Sequence, residues 1–148
     1  MKTVALESRS GSSVTGNLKL SDTKAGLRIR GEVRGLAPGS EHGFHIHEKG
    51  DCSAPDAASA GPHFNPAGVA HGRAGSGGAH HAGDMPNIKA DAKGVAKVDQ
   101  TVAGVTLAAG PSGAAGRALV VHRDPDDYSS QPAGNAGPRV ACGVVPAA

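Results

Sequence analysis

Apolar and polar positions alternate with a period of two through the first third of the chain. Val14, Gly16, Leu18 and Leu20 interleave with Thr15, Asn17 and Lys19, and Leu27, Ile29, Gly31 and Val33 with Arg28, Arg30, Glu32 and Arg34. Successive side chains of a strand point to opposite faces, so this pattern predicts half-solvated antiparallel strands over 14–20 and 27–33. Turn chemistry fills 21–26 and 35–39. Further strands are expected at 2–6, 42–47, 94–102, 117–122 and 139–145, with no helical period anywhere, which argues for a β-sandwich or barrel. Two stretches break the pattern: 48–86, glycine-rich with four histidines, and 123–138, rich in Pro, Asp and Gly. Unstructured stretches beyond about 12–15 residues are usually functional or disordered. Composition alone allows disorder at 74–79, whereas the histidines on either side favour a loop pinned by metal.

Composition narrows this picture. At 148 residues the chain is read as one domain, 1–148. Aromatics are limited to Phe44, Phe64 and Tyr128, so Val, Leu, Ile and Ala must build the core, and 23 glycines suit turns better than long helices. A formal charge of +2, with no Lys/Arg cluster interleaved with aromatics, excludes a nucleic-acid partner. No run approaches the roughly 18 apolar residues of a membrane-spanning helix. Cys52 and Cys142 lie too far apart for a CxxC motif, and their number alone leaves either two buried thiols or one disulfide.

The histidines carry the chemistry. On a strand, His45 and His47 share one face while Phe44 and Ile46 point into the core. Likewise Leu119 and Val121 face inward, and His122 shares the outer face with Val120. A metal held there sits outside the barrel wall and needs the long loops to cover it. Spacing alone also permits a pair of surface histidines. The run Gly39-x5-His45-x-His47-x3-Asp51 approximates the first cupin motif, but cupins place Glu where Asp51 stands and leave His63, His71, His81 and Asp84 unexplained.

Gly43-Phe44-His45-Ile46-His47, Gly61-Pro62-His63-Phe64-Asn65-Pro66, His81-Ala82-Gly83-Asp84 and Gly134-Asn135-Ala136-Gly137-Pro138-Arg139-Val140-Ala141-Cys142-Gly143 together resemble the copper,zinc superoxide dismutase family, in order from about Val4 to Val145. The resemblance implies an eight-stranded antiparallel Greek-key β-barrel or sandwich, immunoglobulin-like, with two long functional loops. It implies copper on His45, His47, His63 and His122, and zinc on His63, His71, His81 and Asp84, with His63 shared between the two ions. The His-x-x-Asp register selects His81 over His80, and His42 is expected to be a hydrogen-bonded structural residue. Asp126 matches the aspartate that hydrogen-bonds a histidine of each metal (here His45 and His71), with Asp124 and Asp127 as neighbouring alternatives. Arg139 matches the arginine beside the copper, where a guanidinium can hold a small anion.

The reaction implied is disproportionation of superoxide anion to dioxygen and hydrogen peroxide, with His63 and Arg139 as catalytic residues. By the same resemblance Cys52 and Cys142 pair, and two chains form a homodimer. Cys52, directly after Gly50-Asp51, looks like the bacterial branch; Ala133 replaces a threonine of many eukaryotic members, and 123–138 lacks their lysine and paired glutamates. Lys49, Arg73 and Arg123 are the candidates for a steering positive field. A disulfide points to a periplasmic or extracellular location. Met1-Lys2-Thr3-Val4 nevertheless leads straight into a strand without an apolar targeting stretch, so either a leader has been removed or the protein is cytoplasmic. A copper-delivery module is the competing function, but such domains tend to lose copper ligands or the arginine.

Overall fold

The computed structural model describes residues 2–72, 78–131 and 133–147. Arg73 and most of 74–79 therefore lie outside the described residues. The strands are β1 (Lys2–Ser8), β2 (Thr15–Thr23), β3 (Gly26–Arg34), β4 (Glu41–His42), β5 (Phe44–His47), β6 (Ile88–Lys89), β7 (Ala96–Val102), β8 (Ala118–His122) and β9 (Arg139–Val144), with one 3-10 turn at Ala58–Ala60. No α-helix occurs among the described residues. Seven strands pair in the order β5-β8-β9-β1-β2-β3-β7, and β4 pairs with β6 in a two-stranded ladder. All pairings between these strands are antiparallel.

The predicted strand over 42–47 is broken at Gly43. Its N–H donates to the Asp124 carbonyl at 2.9 Å and its carbonyl accepts from His122 N–H at 2.8 Å. A Cβ at this position would lie 2.9 Å from the Ala136 Cβ and 3.2 Å from His45 Cε1, so only glycine admits the two loops this closely. Counting β4 and β5 as one interrupted strand restores the eight strands expected. The short β6 was not anticipated, because two residues are too few to display a period.

The alternation reads directly into burial. Leu18 and Leu20 of β2, Leu27, Ile29 and Val33 of β3, Phe44 and Ile46 of β5 and Leu119 and Val121 of β8 are fully buried in one core. Each such side chain contributes roughly 1.5–3 kcal/mol on burial. The opposite faces of β8 and β9 supply a second cluster outside the barrel wall, in which Ala118, Val120 and Cys142 pack with Cys52, Ala57 and Ala60. The Cys52–Cys142 disulfide, with Cα atoms 5.7 Å apart, closes this cluster. Where β8 meets β9 the register slips: Val121 faces Ala141 but His122 faces Arg139, with Val140 as the extra residue. A bulge of this kind re-aims side chains at the end of a strand, and here it brings Arg139 opposite His122.

Candidate metal centre

β5 is an edge strand, and the long loop after it returns twice to its free side. Ile46 N–H donates to the Gly83 carbonyl at 2.9 Å, and Phe64 N–H donates to the Ile46 carbonyl at 2.8 Å. Isolated bridges pair His47 with His63 and His45 with Asp84. An otherwise unpaired edge is thereby satisfied, and four residues scattered over 45–84 converge on one patch. His122 arrives from the end of β8. His45, His47, His63, His71, His81, Asp84, His122 and Asp126 are all buried.

The side chains form two groups that share one ring. His45, His47, His63 and His122 present ligand-type atoms within 4.8 Å of one another, as do His63, His71, His81 and Asp84. In the second group, His63 Nδ1 lies 3.0 Å from Asp84 Oδ1 and 3.1 Å from His81 Nδ1, and His71 Nδ1 donates to Asp84 Oδ1 at 2.8 Å. In the first group, His47 Nε2 and His122 Nε2 are 3.4 Å apart. Their other nitrogens are turned away: His47 Nδ1 donates to the Gly61 carbonyl at 2.8 Å and His122 Nδ1 to the Gly137 carbonyl at 3.2 Å. His45 Nδ1 and His63 Nε2 are buried without a hydrogen-bond partner among the described residues. A buried imidazole nitrogen left in that state needs an explanation, and a cation among four such rings supplies one.

Asp126 ties the groups together. Oδ2 accepts from His45 Nε2 and Oδ1 from His71 Nε2, both at 2.8 Å, which aims His45 Nδ1 into the first group and His71 Nδ1 into the second. Asp124 does not take this place; it pairs with exposed Arg123 at 3.1 Å. Asp127 instead caps its own turn through Ser129 and Ser130. Gly134, at φ 72°, is required beside Asp126: a Cβ there would overlap its carboxylate and lie 2.7 Å from His71 Nε2.

Burial lowers the pKa of His45 to about 4, against the pull of its Asp126 hydrogen bond, and that of His122 to about 3, aided by His45. His47 is pushed well below the ordinary imidazole value by burial and by His122. These rings are neutral at pH 7, the form in which imidazole binds metal. For His71 burial is outweighed by hydrogen bonds to Asp126 and Asp84, which hold it up at about 9. For the two carboxylates, burial is overcome by their histidine partners, and both stay well below the usual range. Without metal, His71 is thus an imidazolium between two carboxylates, and a cation at Nδ1 would replace one proton.

Two cavities border the centre. The larger, about 690 Å³, is lined by His63, His81, Arg117, Gln131 and Arg139 among others; the smaller, about 360 Å³, by His122, Gln131 and Asn135. Arg139 is half-buried and donates through Nη1 to the Ala57 carbonyl at 2.9 Å. His80 lies outside both groups, its Nδ1 donating to the His81 carbonyl at 2.7 Å. His42 is buried and donates through Nδ1 to the His122 carbonyl at 2.9 Å. Lys49 is exposed.

Two residues escaped the sequence reading. Gln131 clamps the backbone of His71, accepting from its N–H at 2.7 Å and donating to its carbonyl at 2.8 Å. Asn87 does the same for Asp126, at 2.9 and 3.0 Å. An amide in a polar loop carries no spacing signal, so neither could have been found without the tertiary structure.

Residues 14–145 match the family described as copper/zinc superoxide dismutase (SODC). Copper-zinc superoxide dismutase 2 of Aquifex aeolicus (strain VF5) is 48% identical over 136 residues, covering 89% of this chain and 79% of that protein. An extracellular copper-zinc superoxide dismutase of Brugia pahangi is 43% identical over 141 residues, covering 89% of this chain and 69% of that protein. Among solved structures, a SOD-like protein from Bacillus subtilis superposes with a TM-score of 0.87 at 35% identity, covering 98% of both chains. With two histidine-rich groups in a Greek-key barrel and a family match across most of its length, the chain belongs to the copper/zinc superoxide dismutase family, whose metals are copper and zinc and whose reaction is superoxide dismutation.

Proposed function

We propose that this chain disproportionates superoxide at a paired centre, with His45, His47, His63 and His122 holding copper and His63, His71, His81 and Asp84 holding zinc. The observation that carries the assignment is the His63 ring: Nδ1 belongs to the Asp84 group, while Nε2 is buried and has no hydrogen-bond partner among the described residues. Copper supplies a reversible one-electron couple, and zinc, lacking one, supplies fixed charge and structure. Only a deprotonated imidazole serves two cations, and two positive charges make that form accessible. His63 Nε2 is then the atom that takes up a proton and hands it to the departing peroxide, while contacts at Nδ1 keep the ring in place. Two superoxide anions and two protons give dioxygen and hydrogen peroxide, so one proton route at His63 and one from solvent suffice.

Arg139, facing the larger cavity with His63, holds the incoming anion by charge-assisted hydrogen bonds. Asp126 orients His45 and His71 and acts on the reaction only through them. Metal content and superoxide consumption measured on one sample test the assignment. One copper and one zinc per chain with cyanide-sensitive activity are expected; zinc alone, or full loading without activity, overturns it. His63→Ala should uncouple the two groups and reduce activity by at least about 100-fold. The retained histidines and Arg139 argue against a copper-delivery module, which the activity assay also separates.

We infer a homodimer from family habit, with molar mass in solution as its test. The disulfide and the extracellular relative support an oxidising location, periplasmic or extracellular, and fractionation of the source cells decides it. Among the described residues no helix is long and apolar enough to cross a membrane. Lys49 and Arg123 are proposed to steer superoxide; each has an acidic neighbour, Asp51 and Asp124, and neutralising both basic residues should lower the second-order rate and its salt dependence.

A further inference from the structure

We propose that Arg9, at the tip of the β1–β2 hairpin, is a positioning residue for Arg139, holding the guanidinium's anchor in parallel with the disulfide. This rests on the reading of Arg139 as the anion-binding group. The acceptor for Arg139 Nη1 is the carbonyl of Ala57, in the segment that runs from Cys52 to the 3-10 turn. Ala57 is fully buried at φ 59°, ψ 16°, a left-handed conformation that a non-glycine residue keeps only when its surroundings enforce it.

The hairpin tip supplies much of that enforcement. Arg9 Nε donates to the Cys52 carbonyl at 2.6 Å, and Ser10 N–H donates to the Pro55 carbonyl at 2.7 Å. Ser10 is itself left-handed, at φ 55°, so strained residues stand on both sides of this contact. The same tip grips the strand that carries the arginine. Ser10 Oγ donates to the Arg139 carbonyl at 2.7 Å, while Arg9 N–H and Ser12 Oγ donate to the Val140 carbonyl at 2.8 and 2.6 Å. One turn therefore touches both the backbone that carries the guanidinium and the backbone that receives it.

The Cys52–Cys142 bond joins the same two backbones covalently. Arg9 is 18% exposed while its ion-pair partner Glu7 is 70% exposed. Its hold therefore comes mainly from the charge-assisted bond to the Cys52 carbonyl and not from the surface pair. The disulfide and the Arg9 side chain act in parallel and predict redundancy: either one, together with the backbone bond from Ser10 to Pro55, keeps the Ala57 carbonyl aimed at Arg139. Loss of both leaves that backbone bond as the hairpin's one remaining tie to the segment, too little to hold the carbonyl in place.

The test compares wild type, Arg9→Ala, Cys52→Ala/Cys142→Ala and the triple variant, each metal-loaded and checked for metal content. Each partial variant should lower kcat/KM for superoxide less than about threefold, whereas the triple variant should lose at least about tenfold, a non-additive result. Azide inhibition should weaken in parallel, since it reads anion capture, while kcat falls less than KM rises. Arg9→Lys in the cysteine-free background should restore part of the loss. A second readout needs neither metal nor the triple variant's folding: phenylglyoxal modification of Arg139 in metal-free protein, with and without gentle phosphine reduction of the disulfide. Reduction should accelerate modification about tenfold more in Arg9→Ala than in wild type. Additive effects, or equal acceleration in both proteins, overturn the proposal. If Arg139→Ala leaves kcat/KM unchanged, the reading of Arg139 fails instead, and the modification rates still decide whether Arg9 positions it.

Discussion

At His45 burial drives the ring pKa down to about 4 and at His122 to about 3, while His71, caught between two carboxylates, is held up at about 9. These opposite shifts give the metal-free protein a stability maximum. Between about pH 4 and 6.5 the unfolded chain binds protons that the buried neutral rings refuse, so stability rises with pH. Above about 6.5 the sign reverses. His71 keeps its proton in the folded state after the unfolded chain has lost it, and its contribution disappears as pH passes through 9. The depressed carboxylates Asp84 and Asp126 contribute only above about pH 4 and lose their effect below it. In chelator, unfolding free energies from urea titrations should therefore peak near pH 6.5 and fall by on the order of 2 kcal/mol towards pH 9, with the midpoints moving in the same direction. Zinc should remove the alkaline fall, because the ion replaces the His71 proton; a midpoint that climbs steadily to pH 9 without metal would rule this account out. The ring identities behind this behaviour could be read from spacing and motif, as at His81 with Asp84. The shifts could not, because they depend on which nitrogen meets Asp126.

β5 shows what strands contribute and where local pattern stops informing. Period two places Phe44 and Ile46 in the core and His45 and His47 outside it, and that could be read from four residues. The break at Gly43 and the bulge at Val140 depend on partners about 80 and 20 residues away, Asp124 for Gly43 and Val121–His122 for the β9 bulge. No local alternation records such partners. The return of the loop to the β5 edge is equally non-local, and it hinges on Gly83. A Cβ there would overlap the Ile46 carbonyl and lie 3.1 Å from the Cβ atoms of Ile46 and Phe64. Gly83→Ala should thus cost about 1–3 kcal/mol in the metal-free protein by forcing the loop off the edge. With Asp84 displaced, the same variant should lose zinc about tenfold more readily to a chelator. Unchanged zinc competition would mean that the loop is placed by its ligands and not by its backbone pairing with β5.

For the molecule as a whole, the disulfide and the metals stabilise different states. The Cys52–Cys142 link spans 90 residues, and in chain-entropy terms a loop of that size restricts the unfolded ensemble by about 4–5 kcal/mol. Metals act on the native side, since the two groups draw on β5, β8 and the long loop between β5 and β6, with Asp126 of the second long loop bridging them, and exist only when the barrel is closed. Acting on opposite ends of the equilibrium, the two effects should add. Replacing both cysteines with alanine should lower the unfolding free energy by nearly the same amount with or without copper and zinc, agreeing within about 0.5 kcal/mol. The alternative is that the disulfide works by holding the segment before His63 in its native place, in which case metal-loaded protein would lose more on cysteine removal than metal-free protein. The hydrogen bonds from Arg9 and Ser10 to that segment favour additivity, because they keep it against the barrel when the covalent link is gone. A denaturant series on the four combinations of cysteine and metal decides between the two, and a gap above about 1 kcal/mol assigns the disulfide a native-state role.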